Sequence, residues 1–403
     1  MSVLLTLGEA QARLLALAPQ MPIVETPTGD ALGRVLARDL TARRTQPTAD
    51  LSAMDGYAIA GDGPWQRVGE SRAGTAFEGA LQSGECTRIS TGAHMPAGAD
   101  RVLIQENAIV EDAVIALAPG ESLPEAGRHV RSAGFDFAQG DTLLSAGTMM
   151  GAAHIALALS GGHETVAHRA IPRVAVLDSG DELTRNVANC TPDQIPASNG
   201  PMLAAMLAPL VASAQMLGPV PDDRAAFAKA LDSAQCDVLI TSGGASVGDH
   251  DLTQAALEAW GAAIDFWKVA IKPGKPLLIA TREAGANRQV ILGLPGNPVS
   301  TFVTAFLFAL PLVRAMLGHA EPFAPSAQRR TTQDLPATGT RREFLRAVSD
   351  GQSVRLAASQ DSSALRALAS ANCLIERPPG ANPVRSGDVV PVHNLQNGGI
   401  AGL

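Results

Sequence analysis

Aromatic side chains are scarce: the 403 residues include three tryptophans, one tyrosine and ten phenylalanines. Aliphatic and alanine packing must therefore build the cores. The composition, 46% hydrophobic and 17% charged, is ordinary for a soluble globular protein. Positive charge is not in excess. A formal net charge of −8 argues against a nucleic-acid groove, although a local cationic cluster can still bind small anions. Cysteine is thin as well. Cys86, Cys190, Cys236 and Cys373 show no C-x-x-C and no metal-ligand spacing, so they read as reduced thiols of a cytoplasmic protein. The N-terminus lacks a basic region and a small-residue cleavage site. It reads as an amphipathic helix entered through a Thr6–Glu9 capping box. The most apolar run, "VSTFVTAFLFALPLV", is too short to span a bilayer and contains Pro311, so no membrane partner is expected.

What is present is a change of texture along a chain long enough for two to four domains. Residues 45–140 are rich in glycine and short alternating runs such as "RVLIQENAIVEDAVIAL", and look mainly β. From about 171, strand and helix patterns alternate, from "RVAVLD" to "NPVSTFVTAFLFALPLV". This pattern predicts a doubly wound, mostly parallel α/β sheet. After "EPFAPSAQ" short strands return, predicting a small β domain at the C-terminal end. Asn199 or Gly200 before Pro201, Asn297 before Pro298, and Asp251 to Gln254 mark helix starts. Open α/β sheets bind ligands beyond the carboxyl ends of their strands, and four polar loops here follow strands.

Each of those loops has a plain and a functional reading. In "TSGGASVGDHD", Ser242, Gly243, Gly244, Ser246 and Gly248 can cradle an anion, or simply turn the chain toward a helix capped by Asp251. "FWKVAIKPGKP" places Lys268 and Lys272 on one face of a strand, about 13 Å apart, with Lys275 and Pro276 across a turn. Lysines suit a phosphate or another oxyanion, and they also suit a solvated edge. "LDSGDEL" offers Asp178, Asp181 and Glu182 for Mg²⁺ or for a helix dipole. "LPGNP" supplies Pro295, Gly296, Asn297 and Pro298. Asp55 in "SAMDGYA" and Thr91 in "STGAHMPAGAD" are undecided on composition. His94 has no second histidine at metal-ligand spacing and reads as a loop residue.

Seven stretches, "SAMDGYA", "STGAHMPAGAD", "SGDEL", "SNGPML", "TSGGASVGDHD", "KPGKP" and "GLPGNPVS", stand in an order and spacing that resembles the molybdopterin molybdenumtransferase family, which includes bacterial MoeA proteins and the matching domain of gephyrin. The resemblance covers essentially the whole chain. It implies a discontinuous N-terminal linking domain (1–44 with 140–170), an inserted β-rich domain (45–139), an α/β molybdopterin-binding domain (171–320) and a C-terminal β-barrel (321–403). It also implies an elongated homodimer whose active sites lie near the α/β domain of one subunit and β-rich parts of the other. The implied reaction inserts molybdenum from molybdate into adenylylated molybdopterin and releases AMP, with Mg²⁺ as cofactor. Other molybdenum cofactor biosynthesis proteins are the implied partners.

Carried over by motif, Asp55, Thr91, Glu182, Asp222, Asp251, Lys268 and Lys272 are the implied catalytic positions, with Glu182, Asp222 and Asp251 toward the metal. Arg131 and Asp136 are implied at the substrate. Lys272, Lys275, Pro276, Arg341 and Ser363 are similar to the family's molybdate pocket. The chain departs from the pattern at Leu51, where asparagine is common, and at Asp178–Ser179, where Ser-Thr is usual. Asp178 is expected to add negative charge beside Glu182. An adenylyltransferase that makes the activated pterin, and a non-catalytic gephyrin-like scaffold, are the alternative readings.

Overall fold

The computed structural model describes residues 4–243, 252–285 and 287–395. Two units share the chain: Met1–Val24 with His168–Leu403, and Glu25–Ala167. The larger unit is built on seven strands, β1 (Leu4–Leu5), β2 (Val174–Asp178), β3 (Ala214–Met216), β4 (Val238–Ser242), β5 (Ala263–Val269), β6 (Pro276–Ala284) and β7 (Asn287–Leu294). They lie in the order β1-β5-β6-β7-β4-β2-β3. β7, β4, β2 and β3 are parallel to one another, while β6 runs antiparallel to both neighbours.

Alternation along these strands sorts the helices into two layers. Val174, Val176, Val238 and Ile240 face α1 (Leu7–Leu17) and α2 (Asn199–Leu207). The same layer holds α5 (Pro298–Thr304) and α6 (Leu310–Leu317). Ala175, Leu177 and Leu239 face α3 (Arg224–Asp232) and α4 (Leu252–Ala259) on the opposite side. Both faces are covered, which explains why these strands read as near-continuous apolar runs. The Thr6–Glu9 capping box forms as expected: Glu9 N–H donates to Thr6 Oγ1 at 3.2 Å and Thr6 N–H to Glu9 Oε2 at 2.8 Å.

One expectation about helix length is corrected. Pro298–Leu317 is a continuous helical segment of 20 residues, long and apolar enough to cross a membrane, and most of it is buried inside the fold. Pro311 does not end it because Ala305–Ala309 widens into a π turn. Pro311 has no N–H to offer the Leu307 carbonyl one turn back. Gln11 Nε2 donates to that carbonyl instead, at 2.9 Å.

At the C-terminal end, Ser326–Thr331, Arg342–Ser349, Ser353–Leu356, Cys373–Arg377 and Val389–Asn394 close into a five-stranded barrel, the last link being Arg342–Ser349 with Cys373–Arg377. The smaller unit carries a six-stranded sheet in the order Arg101–Ile104, Gly56–Ile59, Glu85–Ile89, Trp65–Ser71, Val114–Leu117, Ala108–Glu111. Gly56 is required there. A Cβ at that position would lie 2.1 Å from the Leu103 carbonyl oxygen, which fixes the backbone next to Asp55.

Candidate functional site

Register brings the strand ends together. Asp178, Ser242 and Leu294 are opposite one another on the parallel strands β2, β4 and β7, so the residues that follow share one edge. β6 runs the other way, so Lys275 and Pro276 at its start return to that edge, with Lys268 opposite Pro276. The loops touch. A Cβ on Gly243 would lie 3.2 Å from the Ser179 carbonyl oxygen, and one on Gly296 would lie 3.6 Å from Gly243 Cα. Ser242, Gly243, Pro295, Gly296, Asn297 and Pro298 are thereby gathered, whereas Gly244, Ser246, Gly248 and Asp251 lie outside the described residues. Gly243 N–H is engaged by the Leu294 carbonyl at 3.2 Å.

The two helix starts differ. Asn297 caps α5, its Oδ1 accepting from Val299 and Ser300 N–H at 3.2 and 3.3 Å, with Pro298 in the first turn. Asn199 does not cap α2: Ser198 holds the cap position without a side-chain bond. Asn199 instead reaches across, Nδ2 donating to Ser242 Oγ at 2.6 Å and to the Gly296 carbonyl at 2.8 Å. The sequence marked Asn199 only as a helix start. A bond across 97 positions left no local signal.

The acids divide as well. Asp178 is buried, 2% exposed, and accepts the Gly200 N–H at 2.7 Å; it does not stand among the exposed acids. Asp181, Glu182 and Asp222 are exposed, and Asp222 N–H donates to Asp181 Oδ1 at 3.0 Å. Desolvation, then the negative charges of Asp181 and Glu182, raise the Asp222 carboxyl above the ordinary range. Among the described residues no three histidine, cysteine, aspartate or glutamate side chains form a ready metal cage.

The lysine strand is interrupted. Ala270 donates to the Leu5 carbonyl and its own carbonyl accepts from Arg342 N–H, both at 2.8 Å, so β5 ends at Val269. Ile271–Lys272 forms a separate short strand beside Arg342–Glu343. Lys268 and Lys272 therefore do not share one strand face, because the chain passes from the sheet to the barrel between them. Lys272 Nζ stands 3.2 Å from Glu343 Oε1, and Arg341 Nη1 donates to the Ile271 carbonyl at 3.5 Å. The turn between Lys272 and Lys275 is closed by Val269 N–H to the Lys275 carbonyl at 3.0 Å. Ser363 bonds Asp361 Oδ1 through N–H at 2.8 Å and Oγ at 2.6 Å. Buried Arg346 donates to the Ser359 and Asp361 carbonyls and fastens that loop. The helix that follows, α7 (Leu365–Ser370), packs on α5.

In the smaller unit, Asp55 Oδ1 accepts Thr91 N–H at 2.7 Å and Thr91 Oγ1 at 3.1 Å. These two bonds, the backbone one first, hold its carboxyl below the ordinary range, and Arg88 adds to the effect. Arg88 itself lies over the Tyr57 ring and donates to Gln105. Arg131 is exposed, opposite Leu51 in a two-stranded pair, and neighbouring Ser52 accepts the Gly92 N–H through its carbonyl at 2.8 Å. Asp136 is exposed, its N–H held by the Gln46 carbonyl at 3.0 Å.

Comparison with known proteins follows the same order of parts. Residues 5–162 match the family model described as MoeA N-terminal region (domain I and II). Residues 175–315 match "Probable molybdopterin binding domain", and 328–395 match MoeA C-terminal region (domain IV). The chain is 33% identical to the molybdopterin molybdenumtransferase of Haemophilus influenzae, over 96% of this chain and 98% of that protein. It is 32% identical to the protein of that name from Bacillus subtilis, over 90% and 87%. A solved structure of the molybdopterin biosynthesis MoeA protein of Pyrococcus horikoshii superposes with a TM-score of 0.81 at 26% identity, covering 97% of this chain and 99% of that one. A likeness that runs through all the parts, at a third of positions and nearly full length on both sides, fixes the relationship: the chain belongs to the molybdopterin molybdenumtransferase family.

Proposed function

We propose that this protein transfers molybdenum from molybdate into adenylylated molybdopterin, releasing AMP and the finished molybdenum cofactor. The observation that carries the reading is the shared edge of β2, β4, β6 and β7, where glycine-lined loops meet the lysine turn. On this reading Ser242, Gly296 and their neighbours receive the phosphates of the substrate. Lys272, Lys275 and Arg341 bind molybdate oxygens through charge-assisted hydrogen bonds, with Ser363 adding a hydroxyl and Pro276 shaping the turn. Lys268 supplies further positive charge at the strand end. Asp55 and Thr91 serve the pterin-phosphate end or a water, with Arg131 and Asp136 toward the substrate.

The acidic side suits Mg²⁺, which commonly takes one or two protein carboxylates and completes its shell with water and substrate phosphates. Asp222, disfavoured as an anion by desolvation and then by its acidic neighbours, gains from a cation beside it. Glu182 and Asp222 would hold the ion, with Asp251 joining them. When bound, Mg²⁺ offsets charge as the phosphoanhydride is cleaved. The reading also includes a homodimer, a cytoplasmic location and the four-part division at 1–44 with 140–170, 45–139, 171–320 and 321–403.

The test mixes the purified protein with adenylylated molybdopterin, Mg²⁺ and molybdate, and measures AMP. Molybdate-dependent AMP release is expected, lost in Glu182→Ala. ATP consumption without molybdate-dependent AMP release would assign it to the adenylyltransferase class instead. Sedimentation of the same sample tests the dimer, and a monomer at assay concentration contradicts it.

A further inference from the structure

Asp178 is the acid that the exposed group leaves out. Its Oδ2 accepts the Gly200 N–H at the start of α2, while its Oδ1 is sealed from solvent with no hydrogen-bond partner. Ser242 stands opposite it in register. Ser242 Oγ accepts from Asn199 Nδ2 at 2.6 Å. Asn199 carries the connection on to the Gly296 carbonyl. The Asp178 carbonyl also accepts the Val220 N–H at 2.8 Å.

The surroundings admit nothing larger. A Cβ on Gly200 would lie 2.5 Å from Asp178 Oδ2, and one on Gly218 would lie 2.3 Å from the Asp178 carbonyl oxygen. One residue thus touches the ends of β2 and β4, the first turn of α2 and the loop after β3.

A buried carboxylate with an oxygen short of donors costs stability. Burial raises the Asp178 pKa, opposed first by the Gly200 N–H, with the charge of Arg185 adding to it. Among the described residues, Asp181 and Glu182 on the same loop and Asp222 beyond Val220 are the other charges nearby, while α2, β3 and β4 contain no charged residue. A neutral side chain would serve the fold at less cost, and charges kept against such a cost cluster at functional sites.

We propose that Asp178 is a positioning residue: through Gly200, Ser242 and Asn199 it holds the loops of Gly243 and Gly296 in the register that receives the substrate's phosphates. The word substrate rests on the molybdenum-transfer reading; the network does not. Asp178→Asn keeps the shape but puts a donor where Oδ1 lies unpartnered, and Asp178→Ala removes the acceptor that holds Gly200.

The network is read by NMR on protein labelled with ¹³C-carbonyl asparagine and ¹⁵N-glycine. Asn-Gly occurs only at 199–200 and 397–398, so the Gly200 amide is one of two signals. In the wild type it is expected to titrate with a midpoint above the 3.8 of an ordinary aspartate, and not in Asp178→Asn. Phosphate positioning is read by AMP binding, expected about tenfold weaker in both variants, with KM for adenylylated molybdopterin rising similarly and kcat changing less than about threefold. Melting temperature of Asp178→Asn should equal or exceed that of the wild type. A Gly200 amide that does not titrate, or AMP affinity equal in all three proteins, overturns the proposal. Wild-type protein that binds AMP as expected but shows no molybdate-dependent AMP release sinks the transfer reading and leaves this one standing.

Discussion

At Asp55 and Thr91 two short side chains fix each other across 36 positions, and the pairing has a measurable consequence. Thr91→Val keeps the N–H donor and removes the hydroxyl. The Asp55 pKa is therefore expected to rise toward its ordinary value, followed by carboxyl ¹³C NMR, with molybdenum transfer reduced in the same variant. An unchanged pKa would show that the hydroxyl bond contributes nothing. The thiols make a second case. Burial first of all pushes Cys86 and Cys236 up to about 12 and Cys373 up to about 11, while half-buried Cys190 donates to the Gln194 carbonyl at the surface. Cys190 alone is expected to react quickly with a maleimide at neutral pH, because the thiolate is the reactive form. Fast labelling of more than one thiol in the folded protein contradicts this. Sequence showed these cysteines to be free, but not which of them is accessible, since exposure depends on contacts between distant segments.

Among elements, the tight turn between Lys272 and Lys275 is the most sensitive. Gly274 has φ near +100°, and a Cβ there would lie 2.4 Å from Thr304 Cγ2 in α5. Gly274→Ala is expected to cost about 2 kcal/mol or more, seen as a lower melting temperature, and to weaken molybdate use by displacing Lys275. A variant with wild-type stability would show that α5 can yield. The capping box at Thr6–Glu9 and the Asn297–Pro298 start were legible because their partners are three residues away or fewer. The break at Ala270 was not, since it arises from bonds to Leu5 and Arg342. Asn199 was misread for the same reason: a residue suited to a cap can serve a distant loop equally well.

For the whole molecule, the change from alternating runs to strand–helix repeats and back marked the β-rich, α/β and barrel parts, because burial on one or both sheet faces leaves a period in the sequence. The edge pairing of Leu4–Leu5 with Lys268–Val269 left none, being too short to carry a period. Charge at the barrel gives a pH prediction. The His393 hydrogen bond first, then Arg342, lowers the pKa of Glu376. This depressed group adds stability above the ordinary glutamate pKa of 4.5, and that part is lost as pH falls through the folded value. Asp178 has the opposite sign, its ionisation disfavouring the fold as pH rises. Glu376→Gln should therefore narrow the difference in urea stability between pH 7 and pH 3. An unchanged difference would place the acid sensitivity elsewhere.

The most direct measurement is a crystal structure of the protein soaked with molybdate and AMP, with molybdenum located by anomalous scattering. The expected result is molybdate against Lys272, Lys275 and Arg341, with the AMP phosphate at the loops of Ser242 and Gly296 on the same sheet edge. Both anions bound elsewhere, with that edge unoccupied at saturating concentrations, would contradict the account.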